Sequence, residues 1–198
     1  MSPDLARAAA YALTRLSREL PADLCYHSVA HTRDDVLPAA ERLAAQEGLG
    51  AEELLLLKTA ALFHDLGFLE RVQQHEEASI AIAREVLPGF GYAPAQVEAV
   101  AQLIRATILP QSAETPLEQL LADADLDVLG SADFFEKSAL LRRERTALGE
   151  RFSDEAWHRS QLAFLKRHCY FTPAARHLRE AGKQRNIAGL EQLLKPSG

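Results

Sequence analysis

Side chains in this chain recur at helical period almost from end to end, and no stretch alternates apolar and polar residues as a half-buried strand does. Such a chain buries its apolar faces by packing helix on helix. Helices are expected at about 3–19, 28–47, 51–66, 75–87, 94–109, 116–129, 131–148, 153–168 and 173–194. Punctuation supports several of them. Gly48 and Gly50 follow the second, and Gly67 stands where a C-terminal cap of the third would. Pro88-Gly89 stops the fourth, Ser153 opens the eighth, and Thr172-Pro173 opens the ninth with proline at the first helical position. Residues 110–116 read as loop. No segment is long or flexible enough to be an interdomain linker. The 198 residues are therefore expected to form one all-α domain, globular rather than bundle-like because its helices are short and numerous.

Composition narrows the partners. Apolar residues make up 47% and charged residues 25%, as in soluble globular proteins. The net charge of −6 argues against a nucleic-acid polymer or an anionic membrane as the main partner. A small phosphorylated molecule stays open, because a metal or a local basic cluster could receive it. Cys25 and Cys169 lie far apart and form no CxxC, so no disulfide framework is expected and a reducing cytoplasm is the simpler setting. The first residues, MSPDLARAAAYALTRL, carry an early acid and no unbroken apolar core, unlike a secretory signal. The run LLLLKTAALFHDL is too short and too polar to span a bilayer.

The informative residues are polar intruders on apolar faces. The stretch 61–68, ALFHDLGF, puts His64 and Asp65 inside an apolar run, where a charge without partners costs several kcal/mol or changes its protonation. The inner stripe of this helix runs through Leu54, Leu57, Ala61, His64 and Phe68. Successive helical residues diverge by about 100°, so His64 and Asp65 can both reach one ion placed between them. His75 heads a second stripe, Ala78, Ser79, Ile82, Ala83, Val86 and Leu87, with Glu76 and Glu77 in the same first turn. In LADADLDVLG, Asp125 falls within the stripe Leu117, Leu121, Ala124, Val128 and Leu129, whereas Asp123 and Asp127 turn away; Asp123 is the rival if the helix is distorted. His27 and His31, at i,i+4, share one side of a helical turn. Imidazole plus carboxylate with open positions suits one divalent ion among Mn, Fe, Ni, Co, Zn or Mg. His158, His168 and His177 show no partner pattern and read as structural or surface residues; Trp157, Phe164, Tyr170 and Phe171 read as core or homodimer contacts. Arg142, Arg143 and Arg145 read as an exposed face mixed with Glu144.

The order His31, His64-Asp65, Asp125, in the contexts YHSVAHT, AALFHDLGF, HEEAS and LADADLDVLG, resembles the H…HD…D signature of the HD superfamily of metal-dependent phosphohydrolases. The resemblance covers about 20–130 as motif core, with 131–195 similar to the C-terminal helices of small single-domain members. It implies an all-α fold, His31, His64, Asp65 and Asp125 as ligands of one divalent metal, and hydrolysis of phosphate esters such as nucleotides. Only His75 lies between the doublet and Asp125 where two-metal members carry extra histidines, and Leu126 stands where many small members carry arginine. A second metal and those members' substrates are therefore not carried over. On this basis Asp65 is expected to take a proton from the attacking water, and His75 or Glu76 to serve the leaving oxygen. Arg33 and Lys183 are the candidate phosphate cations, and His27 either orients His31 or contacts substrate. A regulatory module that binds metal and ligand with little turnover is the competing expectation. A di-iron oxygenase or lyase has too few histidines.

Overall fold

The computed structural model describes residues 2–195. Among them there is no strand, and the helices fall close to where the periodicity puts them. They are α1 (Leu5–Glu19), α2 (Leu37–Glu47), α3 (Ala51–Phe63), α4 (His75–Val86), α5 (Pro94–Arg105), α6 (Pro116–Asp125), α7 (Phe134–Ala147), α8 (Asp154–Arg167) and α9 (Pro173–Leu193). No described helix is long and apolar enough to cross a membrane. The ends obey local chemistry. Asp4, Thr115, Ser153 and Thr172 cap their helices by accepting a backbone N–H. Gly48 closes α2 in the left-handed region at φ 72°, a conformation that suits a residue without Cβ.

Three departures from simple helical period matter. First, α2 is entered through a π-helical turn, His31–Val36, in which the chain winds wider than 3.6 residues per turn. Second, α3 stops at Phe63 rather than near 66, because Asp65 leaves the helical region for the bridge region at φ −104°, ψ 4°. Third, α6 stops at Asp125, Leu126 takes φ −99°, ψ 16°, and the chain resumes as a short 3₁₀ turn, Asp127–Gly130. Gly67 is therefore not a helix cap. It sits in a 3₁₀ turn, Leu66–Leu69, pressed so closely on α4 that an added Cβ would lie 1.8 Å from the His75 carbonyl oxygen.

Helix α3 is the central element, packed against α1, α2, α5 and α6. Leu57, Ala60, Ala61, Leu62 and Phe63 are buried in the main core, which α1 to α6 and the start of α9 build together. A smaller apolar cluster, Leu129, Phe134, Leu165, Ile187 and Leu190, joins α7, α8 and the end of α9. Helix α9 crosses the Asp127–Gly130 turn at Gly182, whose added Cβ would meet the Gly130 carbonyl oxygen at 1.9 Å.

Asp123 is buried, yet it faces away from the histidines. Its carboxylate accepts from Phe171 N, Thr172 N and Thr172 Oγ1 at 2.7–2.8 Å, clamping the start of α9. Asp123→Ala would strand those donors, at about 3 kcal/mol. Thermal denaturation of this variant is expected to show a Tm lower by about 10 °C. An unchanged Tm would remove this role.

Candidate metal centre

The residues singled out on apolar faces meet at helix ends. His31 opens the π-helical turn, His64 and Asp65 follow α3, His75 opens α4 and Asp125 closes α6. His31, His64 and Asp65 are only 3%, 1% and 3% exposed. Each offers a donor atom within 4.8 Å of the others'. His64 Nε2 lies 3.2 Å from Asp65 Oδ2, and His31 Nε2 lies 3.6 Å from the same oxygen. Asp125 Oδ1 is 3.4 Å from both His31 Nε2 and His64 Nε2. Ligands about 2.1 Å from a shared ion stand about 3–3.5 Å apart, so the spacing of His31, His64 and Asp65 suits one cation, with Asp125 facing both imidazoles.

Hydrogen bonding sets the direction of each ring. His64 Nδ1–H donates to Ala61 O at 2.8 Å, which leaves its Nε2 lone pair turned to the cluster. Neither His64 Nε2 nor Asp65 Oδ2 has a hydrogen-bond partner, although both are buried. Two buried acceptors facing each other need positive charge between them. A ligating histidine that donates its other N–H to a backbone carbonyl is the arrangement metal sites use. His31 Nδ1 lies 3.7 Å from Asp35 Oδ2, beyond hydrogen-bond length but within ion-pair range. Asp35 is in turn bonded to Lys137 Nζ at 2.5 Å. The donor set of His31, His64 and Asp65 thus fits a divalent cation, and Asp125 faces the two imidazoles beside it.

Without a metal, protons supply the charge. Burial would lower the His31 pKa, but Asp125, Asp35 and Asp65 outweigh it and raise it to about 9. Burial opposes the charged form of His64 too, yet Asp65 and Asp125 hold its pKa well above the ordinary value. Asp65 and Asp125 would rise on burial, but the neighbouring imidazoles keep them well below the usual carboxylate range. An unfolded histidine titrates near 6.5. The His31 contribution to the metal-free protein is therefore full below pH 6.5 and lost as pH climbs through 9, a change of about 3 kcal/mol. Melting in EDTA should fall across that window, and protein loaded with divalent metal should not follow it, because bound imidazoles carry no such proton. A flat metal-free profile would remove this account.

The other expected residues divide. His75 Nε2 is 3.5 Å from Asp65 Oδ1, at the edge of the cluster, and Glu76 Oε2 is 3.5 Å from His75 Nδ1. His27 stacks on Phe68 at 4.4 Å, and Phe68 stacks on His75 at 3.8 Å. Arg33 is not brought to the site: it is exposed and forks onto its neighbour Asp34. Lys183 is not either, since it is buried, donates to His168 O and lies over Tyr170. The rival acids are engaged elsewhere, Asp123 at the start of α9 and Asp127 with Arg42 and Arg179. Glu144, grouped with the exposed arginines from sequence, is 2% exposed and accepts from the backbone of Tyr26 and His27. Lys137 was not found from sequence. A lone lysine on a polar helix gives no local signal of its partner 102 residues away.

The cluster opens through Asp125 into a cavity of about 420 Å³. Leu126, Leu129, Phe134 and Phe164 form apolar walls, and His27, Lys137, Arg145 and Gln161 supply polar groups.

Fold and centre together define an all-helical protein with a buried His/Asp cluster suited to a divalent cation. The HD domain family profile matches residues 31–127, from the first histidine of the cluster to just beyond Asp125. The chain carries an HD domain over residues 31–127. A predicted HD superfamily hydrolase from an uncultured Thermotogales bacterium is similar in fold, at 18% identity and TM-score 0.62, over 96% of this chain and 89% of that one. Bacillus subtilis YpgQ, solved in complex with ADP, is similar at 19% identity and TM-score 0.67, over 96% and 94%. A Lactobacillus plantarum protein gives 20% identity and TM-score 0.69, over 96% and 92%. No curated relative matches the chain.

Proposed function

We propose that the chain is a metal-dependent hydrolase of phosphate esters, acting on a nucleotide or another small phosphorylated metabolite. One observation carries this reading. Two buried acceptors, His64 Nε2 and Asp65 Oδ2, face each other without a hydrogen-bond partner, beside a cavity that Asp125 borders. The ADP held by YpgQ, on the same fold, supports a nucleoside phosphate as substrate class.

A bound divalent metal would supply Lewis acidity toward phosphate oxygens and a more acidic water. The chain's own groups supply the rest. His31, His64, Asp65 and Asp125 would hold the ion. Asp65 takes the proton of the attacking water, since its Oδ1 faces His75 Nε2 and can pass charge outward. His75, with Glu76 beside its Nδ1, serves the leaving oxygen. Lys137 replaces Arg33 and Lys183 as the cation for phosphate, because it borders the same cavity as Asp125. The apolar walls keep water from competing for these groups.

The test is purified protein loaded in turn with Mn²⁺, Fe²⁺, Co²⁺, Ni²⁺, Zn²⁺ or Mg²⁺ and assayed on a generic phosphoester and a nucleotide panel. Phosphate release abolished by chelation is expected. Tight nucleotide binding with no turnover under any metal would replace this reading with the regulatory module.

A further inference from the structure

The 420 Å³ cavity has one polar arrangement that the hydrolytic reading leaves unused. Glu144 lies in the last turn of α7, outside the segment matched by the HD domain profile, and is nearly inaccessible. A buried carboxylate needs several donors. Glu144 has three, all from one dipeptide 117–118 residues earlier in the chain. Oε2 accepts from Tyr26 N at 2.8 Å and His27 N at 3.0 Å. Oε1 meets His27 Nδ1 at 2.5 Å. Burial would raise the Glu144 pKa, but His27 and these N–H groups keep it below the usual value, so the carboxylate is charged at neutral pH.

A carboxylate on Nδ1 does three things to an imidazole. It places the ring proton on Nδ1, locks the ring plane, and turns Nε2 the opposite way. Stacking on Phe68 at 4.4 Å locks the plane further. The ring is 24% exposed and borders the cavity together with Asp125 and Lys137. Among the described residues, His27 Nε2 has no hydrogen-bond partner. An unengaged nitrogen, held by a buried acid at the edge of a cavity, is an arrangement for contacting a ligand.

The geometry points to Glu144 as a positioning residue that holds His27 so that its Nε2 contacts the phosphate ester in the cavity. This assignment rests on the phosphohydrolase reading for the identity of the ligand. It adds a second residue of α7 to the working site beside Lys137, and it gives His27 a task separate from orienting His31.

Glu144→Gln discriminates this role from a merely structural one. The glutamine carbonyl still accepts from the Tyr26 and His27 backbone, while its NH₂ donates to Nδ1 and forces the ring proton onto Nε2. Fold and metal binding should survive, with the tautomer inverted. In zinc-loaded full-length protein, two-bond ¹H–¹⁵N spectra should show the His27 proton on Nδ1. Glu144→Gln should move it to Nε2, and His27→Gln, which lacks the ring, identifies the signal. Added inorganic phosphate should shift the wild-type His27 Nε2 resonance. In turnover assays Glu144→Gln and His27→Gln should each lower kcat by about 10–100-fold, the range for partners that orient a working side chain. Zinc content and Tm should be retained, and the double variant should be no slower than His27→Gln alone.

A wild-type rate in Glu144→Gln, a multiplied loss in the double variant, or no phosphate-induced shift at His27 would each overturn the assignment. If the wild-type protein turns over no substrate, the hydrolytic reading falls, and the tautomer and phosphate spectra still decide whether Glu144 positions His27 toward an anion.

Discussion

Asp65→Ala is expected to abolish stoichiometric binding of divalent metal and to lower phosphoester hydrolysis by about 10³-fold or more. The size follows from what one side chain does. Oδ2 is the oxygen that both His31 Nε2 and His64 Nε2 face, at 3.6 and 3.2 Å, and Oδ1 faces His75 Nε2 at 3.5 Å. Removing the carboxylate leaves Asp125 as the one acid facing both imidazoles, with Asp35 on the far side of His31. The remaining donors are too few to hold an ion against water. Because Asp65 is buried at a helix end and hydrogen-bonds no backbone group of a neighbouring helix, the variant should keep its helical circular dichroism. Metal analysis after gel filtration and a phosphate-release assay make the measurement. Full metal content with full activity would end the proposed chemistry.

The second large effect comes from a residue with no side chain. Gly67→Ala is expected to destabilise the protein by about 3 kcal/mol or more, seen as a Tm lower by about 10 °C. Glycine-to-alanine changes ordinarily stabilise slightly by restricting the unfolded chain. Here the added methyl would lie 1.8 Å from the His75 carbonyl oxygen and 2.8 Å from Ser79 N, both backbone atoms of α4. The helix has to move, and the seam it leaves is polar. Gly67 N donates to Ser79 Oγ at 2.7 Å, and Ser79 Oγ donates to the His64 carbonyl at 2.6 Å. Displacing α4 also draws His75 from Asp65, so activity should fall further than stability alone dictates. Gly89→Ala, with no atom within 4 Å of the new methyl, is the control and should leave Tm within about 1 °C. Equal melting of the two variants would contradict the packing argument.

These two residues also mark how far a linear reading reaches. Asp65 was legible because a charged pair inside the apolar run of α3 is conspicuous at one turn's range. Gly67 was legible only as a residue that ends a helix. Its neighbours on α4 become adjacent only after the chain folds back, so a cap and a close crossing look alike in sequence. Asp125 was favoured over Asp123 and Asp127 from its place on the stripe of α6, and the structure turns its carboxylate to the two histidines. The arginine and lysine chosen for phosphate were misplaced for a related reason. Arg33 follows its neighbour Asp34 into solvent, whereas Lys137 reaches the site because α7 lies across it.

By itself the sequence determined the helical class, the approximate helix limits, and the histidines and acids that interrupt apolar faces. All of these follow from contacts within three or four residues, which backbone geometry repeats at every turn. Tertiary structure alone decided where α3 and α6 break, that His31 enters α2 through a π-helical turn, and that Glu144 meets His27. Those outcomes depend on groups more than a hundred residues apart, or on burial that forces a helix end open. Such energies exist only once the helices have docked.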